Sequence, residues 1–350
     1  MAYTDIDFPA EYFNTVLHTG DGASPKSITG FGFNPEFVWV KARSEAYGHS
    51  ISDIVRGANK TLRSNSTSSE VSDDVFGNLT SFITDGYTAT SGATNINYYN
   101  QSSTTYVNWG WKANGAGVSN TAGTITSTVS ANPTAGFAIA TYTGTGAVDT
   151  VGHGLTVEPD FIWVKDRDSV VNWICYTKKI DGSNDYLFLN TTDASGNSGF
   201  SGATSTVFNF NLGASSYSNT AGRNYIMYSF ASVKGYSKIG TYTGNGSADG
   251  TFVYTGFKPA MIIIKRTDSA EQWQISDNKR NTFNVVDKGL FPSGDFVESS
   301  SSSYYIDYTS NGFKLRNTAT WFNASGGTYI YMAFAENPFV TSTSIPTTAR

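Results

Sequence analysis

Only one cysteine, Cys175, occurs in this chain of 350 residues, so no internal disulfide can staple it. It stands in "NWICY" between apolar neighbours, the setting of an inert core thiol rather than a nucleophile. Charge is scarce too: Asp, Glu, Lys and Arg make up 15% of the residues, against roughly 25% in ordinary soluble proteins. The formal net charge of -5 offers no basic field to a phosphate backbone, which argues against nucleic acid as a partner. His18, His49 and His153 stand apart, without a second ligand at metal-binding spacing, and no cofactor is expected. Neither GxSxG nor HExxH occurs. The start "MAYTDIDFPA" lacks the basic and apolar runs of a signal peptide, and no stretch approaches membrane-spanning length. The expectation is a protein made in a cytosol and not inserted into a membrane.

Aromatics are abundant, with 21 Tyr, 23 Phe and 7 Trp, and Gly, Ser, Thr and Asn fill the space between them. That is the vocabulary of strands and turns. Within it one pentapeptide recurs as "FVWVK" (37–41), "FIWVK" (161–165) and "MIIIK" (261–265), each two residues after a proline. Gly20, Gly144 and Gly244 of "HTGDG", "TYTGTG" and "TYTGNG" each lie 15 residues before that proline. Segments beginning at Tyr106, Tyr225 and Tyr329 close the copies. A period near 100 residues exceeds the roughly 50 of solenoid repeats. The register predicts three tandem antiparallel β-sandwich domains of jelly-roll or lectin-like type, called units one to three below.

The boundaries expected from this register are an N-terminal arm at 1–11, then sandwiches at 12–113, 137–231 and 237–336, and a C-terminal arm at 337–350. Between units one and two, residues 114–136 carry no charge and include the alternating "TITSTVS", an expected linker or bridging strand. Each closing segment alternates, as a strand with one face on a core does. The pentapeptides are apolar on both faces, so the second face needs a neighbouring domain, a loop or another subunit. A homotrimer is the expectation drawn from that surplus. The lysine ending each pentapeptide is read as leaving the covering, with its ammonium in water.

One constellation is more specific. A shift of 224 residues lays "ISDIVR" on "ISDNKR", matching Asp53 with Asp277 and Arg56 with Arg280, while unit two has Thr177 and Ile180 there. The same register stacks His49, Trp173 and Trp273. Each Asp–Arg pair, three residues apart, suits a turn fixed by a local ion pair, and the indoles suit core plugs. The alternative is a ligand site on Trp173, Trp273, Asp53, Arg56, Asp277 and Arg280. "DGSND" (181–185) offers alternating oxygens for calcium but lacks the rest of such a loop, and a polar turn is expected.

The runs "SITGFGFNPEFVWVK", "SDIVRGANKTLRSN", "VSANPTAGFAIATYTGTG", "VGHGLTVEPDFIWVKDR" and "YIYMAFAENPFVTSTSIPTTAR" make the chain resemble virion or tail-fibre-like proteins of tailed phages of marine bacteria, built on tandem repeats of a domain of undefined function. The resemblance implies a non-enzymatic structural virion protein, made in the host cytoplasm and carried on the particle. A tail fibre or tail-tip receptor-binding protein is the first expectation. A capsid decoration or head-fibre protein is the alternative, and a polysaccharide depolymerase a third. Implied partners are other copies of the chain, other tail or capsid proteins, and a host surface glycan or protein.

Overall fold

The repeated glycines fold as their spacing requires. The computed structural model describes residues 4–197, 202–210 and 217–348, which leaves residues 1–3 and 349–350 of the expected arms outside the described residues. A Cβ on Gly20, Gly144 or Gly244 would lie 1.9, 2.4 and 2.4 Å from the carbonyl oxygens of Gln101, Thr220 and Ala324. Only glycine lets the two backbones approach so closely. Two residues on, Gly22, Gly146 and Gly246 take φ of 77°, 75° and 68° and donate N–H to the carbonyls of Asn100, Asn219 and Asn323. One turn is thus built three times with the same bonds.

The fold is all-β and antiparallel. In unit one a four-stranded sheet runs in the order Phe13–Thr19, Thr105–Trp111, Phe37–Ala42, Ser50–Asp53. Unit three repeats it with Ser237–Thr243, Thr328–Pro338, Phe257–Arg266 and Gln274–Asp277. Unit two repeats it with Phe137–Thr143, Asn224–Phe230, Phe161–Asp166 and Ile174–Thr177, inside a sheet of eight strands. Two of the extra strands, Val118–Asn120 and Ser127–Asn132, come from the uncharged segment, which therefore belongs to the unit-two sheet. A three-stranded second sheet packs over each unit: Lys26–Thr29 with Gly86–Thr90 and Asn78–Ile83 in unit one, and counterparts in the others.

Each pentapeptide strand lies between two cores, which explains its two apolar faces. Val38 and Val40 join Tyr87 and Tyr106 in the unit-one sandwich, Ile162 and Val164 join Phe208 in unit two, and Ile262 and Ile264 join Phe313 in unit three. Phe37, Trp39, Phe161, Trp163, Met261 and Ile263 point the other way, into one core shared by all three units. Closing strands are buried on both faces as well, not on one: Trp109, Trp111, Tyr228, Phe230, Met332 and Phe334 enter the shared core, while Tyr106, Tyr225 and Tyr329 face their own sandwiches. Rings meet across unit boundaries, Trp39 with Trp163 at 5.9 Å, Phe37 with Tyr228 at 4.7 Å and Trp111 with Phe334 at 5.3 Å. The surface on which the trimer expectation rested is thus covered by the chain itself.

The terminal arms lie against the ring too. Thr4 Oγ1 and the Asp5 amide donate to the Lys234 carbonyl, Ile6 enters the shared core, and Asp7 accepts from the Ser342 amide at 2.7 Å. The last long strand continues to Pro338, two residues into the expected C-terminal arm, and pairs there with Phe257.

Candidate functional site

The charged and indole residues singled out in the sequence gather at the seams between units. Asp53 ends the strand after the first pentapeptide, and its Oδ1 accepts from the amides of Val55 (3.0 Å) and Arg56 (2.9 Å), which shapes the turn. Arg56 folds back so that Nε donates to Asp53 Oδ2 and Nη2 to the Ile51 carbonyl at 2.9 Å. Nη1 reaches Glu70 at 3.1 Å. Glu70 in turn accepts both forks of Arg167, at 3.0 and 2.9 Å, from unit two, and Tyr228 of unit two donates its hydroxyl to Asp53 at 2.6 Å. The turn is also a seam.

The seam between units three and one copies this. Asp277 accepts from Arg280 at 2.6 Å, Arg280 reaches Glu298 at 3.2 Å, and Glu298 takes both forks of Arg43 at 2.9 and 2.8 Å. Trp109 Nε1 of unit one donates to Asp277 at 3.2 Å, in the place of the Tyr228 hydroxyl. Burial, the largest single influence, would raise the carboxyls of Glu70 and Glu298, but the two arginines on each together outweigh it and hold both below the ordinary glutamate range. At the seam of units two and three every charged position is neutral: Thr177 and Ile180 replace the pair, Ser195 replaces the glutamate, Thr267 replaces the receiving arginine, and Met332 stands where Tyr228 and Trp109 stand. A backbone bond persists in all three seams, Glu70 N to Arg167 O, Ser195 N to Thr267 O and Glu298 N to Arg43 O, each 2.8 Å.

Trp173, Trp273 and His49 close the same circle. Trp173 Nε1 donates to the Arg63 carbonyl of unit one at 2.8 Å, Trp273 Nε1 to the Phe188 carbonyl of unit two at 2.9 Å, and His49 Nε2 lies 3.0 Å from the Phe291 carbonyl of unit three. All three are buried, at 0%, 1% and 0% exposure, so none offers a ring face to an external ligand. Burial also holds the His49 imidazole neutral, well below its ordinary range. The contacts run head to tail and return to the start, a closed quasi-threefold ring within one chain.

The three pentapeptide lysines correct the expectation of solvated ammoniums. Lys41, Lys165 and Lys265 have no exposed surface. Each Nζ turns back onto its own strand end, donating to the carbonyls of Ala42 (2.7 Å), Asp166 (2.7 Å) and Arg266 (2.5 Å). Burial pulls each down to about 8. The strand end is not the edge of the covering, because the loop that follows receives the neighbouring unit's seam residue, Glu298 in the case of Arg43.

Elsewhere the titratable groups have local partners. His18 stacks on Tyr106 at 4.8 Å and its Nε2 lies 2.9 Å from the Tyr99 carbonyl, His153 Nε2 lies 3.1 Å from the Thr204 carbonyl, and burial pushes the Cys175 thiol well up. In "DGSND" the Ser183 amide donates to Asp181 at 2.7 Å and its hydroxyl to Asp185 at 3.3 Å, a polar turn. No group of three His, Cys, Asp or Glu able to hold a metal occurs among the described residues.

One outward feature went unnoticed in the sequence. On unit three, Phe291, Phe296, Tyr304 and Trp321 line a cleft of about 460 Å³, which Gln272, Val297 and Ser299 complete. The signal for it was present but dilute, four aromatics spread over 31 residues of a chain rich in them.

No curated protein and no solved structure matches the chain. One family does, and its match runs from residue 8 to residue 338, through all three units and both kinds of seam. The chain therefore belongs to the family described as Domain of unknown function (DUF7483).

Proposed function

We propose that the chain is a structural protein of a tailed-phage particle, carried on a tail fibre or tail tip, where it attaches to the host surface. The observation that carries this reading is the closed ring. Arg43, Arg56, Arg167 and Arg280, the carboxylates Asp53, Glu70, Asp277 and Glu298, and the indoles of Trp173 and Trp273 are consumed in holding three units together, while an aromatic cleft on unit three stays open. A rigid scaffold that presents loops is how binding proteins commonly place their contact residues. The resemblance of the sequence to phage tail-fibre-like proteins supplies the particle.

A second reading, capsid decoration, draws on the same ring: three quasi-equivalent units in one chain suit a threefold position on a shell. Labelled purified protein added to host cells and, separately, to empty capsids divides the two. Saturable binding to cells alone supports the tail reading, and binding to capsids alone supports decoration. A third outcome, release of reducing ends from host polysaccharide, would replace both with a depolymerase. Particles that contain no copy of the chain by mass spectrometry would sink the virion reading altogether.

A further inference from the structure

The repeat supplies an internal control for the unit-three cleft. Arg63, Phe188 and Phe291 hold one position in the three units: each follows the leucine (Leu62, Leu187, Leu290) that meets the strand of Ile51, Cys175 or Ile275, and each lends its carbonyl to the neighbour's His49 or tryptophan. Tyr98, Tyr217 and Trp321 hold a second, two residues before the repeated Asn100, Asn219 and Asn323. The two positions face each other in every unit. Phe188 and Tyr217 stand 5.2 Å apart, Phe291 and Trp321 5.9 Å apart.

In unit one the site is filled from within. The Arg63 guanidinium lies 4.8 Å over Tyr98 and 5.5 Å over Phe76, and Asp74 pairs with it. A cation held by rings needs that carboxylate once water is excluded. In unit three the arginine is replaced by Phe291, the cleft stays open, and no charged side chain lines it. Its volume falls within the ~300–1,000 Å³ of small-ligand clefts. Trp321 and Tyr304 pack against each other, centroids 5.7 Å apart at 35°, and Phe296, half exposed at 51%, extends the apolar lining. Gln272 and Ser299 add an amide and a hydroxyl to the lining, the latter 3.4 Å from the Tyr304 hydroxyl.

We infer that this cleft binds a neutral pyranose ring, its C–H face stacked on Trp321 and its hydroxyls met by the amide and hydroxyl side chains. Charge selects the class. A quaternary ammonium or guanidinium would lack the counter-ion that unit one supplies, and an acidic sugar would find no lysine or arginine in the lining. A purely apolar occupant would leave the Gln272 amide and the Ser299 hydroxyl unmatched. This deepens the receptor-binding reading by naming a host-surface glycan of neutral sugars as what is recognised.

The test is saturation-transfer NMR on the full chain with methyl α-mannopyranoside, methyl β-galactopyranoside and N-acetylglucosamine, each in turn. Tetramethylammonium and 1-hexanol serve as the cationic and apolar probes. Trp321 gives a second readout, because the other six of the seven tryptophans are fully buried, so ligand-dependent fluorescence change reports on this cleft. Saturable transfer to the ring protons of at least one sugar is expected, weakened about tenfold in Trp321→Ala as a lost stacking contact requires. Phe296→Ala should weaken it too, and its exposed position guards against a variant that fails to fold. Binding of tetramethylammonium or hexanol with no sugar bound, or sugar binding unchanged in both variants, would overturn the inference. Because the assay uses purified protein, its failure leaves the chain's place on a particle open, and absence from particles would leave sugar binding standing.

Discussion

A lysine that ends a strand and has no exposed surface is under tension from two directions, burial disfavouring its charge and backbone carbonyls accepting from it. In Lys41, Lys165 and Lys265 burial prevails, with each pulled down to about 8; for Lys41, Asp295 and Glu298 of unit three partly counter it. Between about 8 and the ordinary lysine value near 10.4 the folded chain has released these protons while the unfolded chain still holds them. Stability must therefore rise with pH across that window, whereas below it both states are protonated and the penalty is present in full. The buried tyrosines oppose the rise at its upper end. Burial raises Tyr87, Tyr142, Tyr228 and Tyr242 well above the ordinary range, so above about 10 the unfolded chain ionises first and the fold loses ground. Urea midpoints should climb from pH 8 to about 9.5, by the equivalent of about 2 kcal/mol per lysine, and then turn over. Lys41→Met should remove about a third of the climb; a flat profile from pH 7.5 to 9.5 would show that the ammoniums keep their ordinary affinity in the fold.

At the scale of elements, the three seams are the same joint built from two sets of parts. The Asp–Arg–Glu–Arg set with a Tyr or Trp donor occurs twice, and the Thr–Ile–Ser–Thr set with Met occurs once, with no mixed seam. Burying a charge is tolerable only when its partner is buried with it, so a change on one side of a seam constrains the other side. Arg56→Met should cost about 3–5 kcal/mol in chemical denaturation, since it leaves buried Asp53 without its guanidinium and Glu70 with one arginine instead of two. The compound variant Asp53→Thr, Arg56→Ile, Glu70→Ser, Arg167→Thr and Tyr228→Met, which transplants the neutral set, should return to within about 2 kcal/mol of the parent. If it proves less stable than Arg56→Met alone, the backbone of that seam is itself specialised. Half of this joint is legible in the sequence. Asp53 and Arg56 sit three residues apart and define a turn, so "ISDIVR" over "ISDNKR" reveals them. Arg167 and Tyr228 are hidden because nothing local marks an arginine or a tyrosine as the partner of a carboxylate 97 or 175 residues away. The two-faced pentapeptide reveals that both faces are covered, but not that the cover is the rest of the same chain.

For the whole molecule the consequence is cooperativity. Three beads on a string would each carry a private core, but here the largest cluster of buried apolar residues belongs to no single unit, taking Trp39, Trp109 and Trp111 from the first, Trp163, Tyr228 and Phe230 from the second, and Met261, Met332 and Phe334 from the third. A unit cut free would expose that face. Segment 137–231 expressed alone would present Phe137, Ile139, Phe161, Trp163 and Phe230 to water, an apolar patch of the kind that drives association. Removing one unit also opens two of the three seams, with their buried arginines and carboxylates. The ring should therefore melt as one body: a single calorimetric transition, with the van't Hoff enthalpy close to the calorimetric one, and excised units recovered only as aggregates or as a complex reassembled from the missing pieces. Arg56→Met should lower that one transition without splitting it, because a weakened seam releases the shared core and not merely its own unit. Two or three resolved transitions, or a soluble monomeric segment 137–231 with a cooperative melt of its own, would show instead that each sandwich is stable on its private core and that the shared core only docks finished parts.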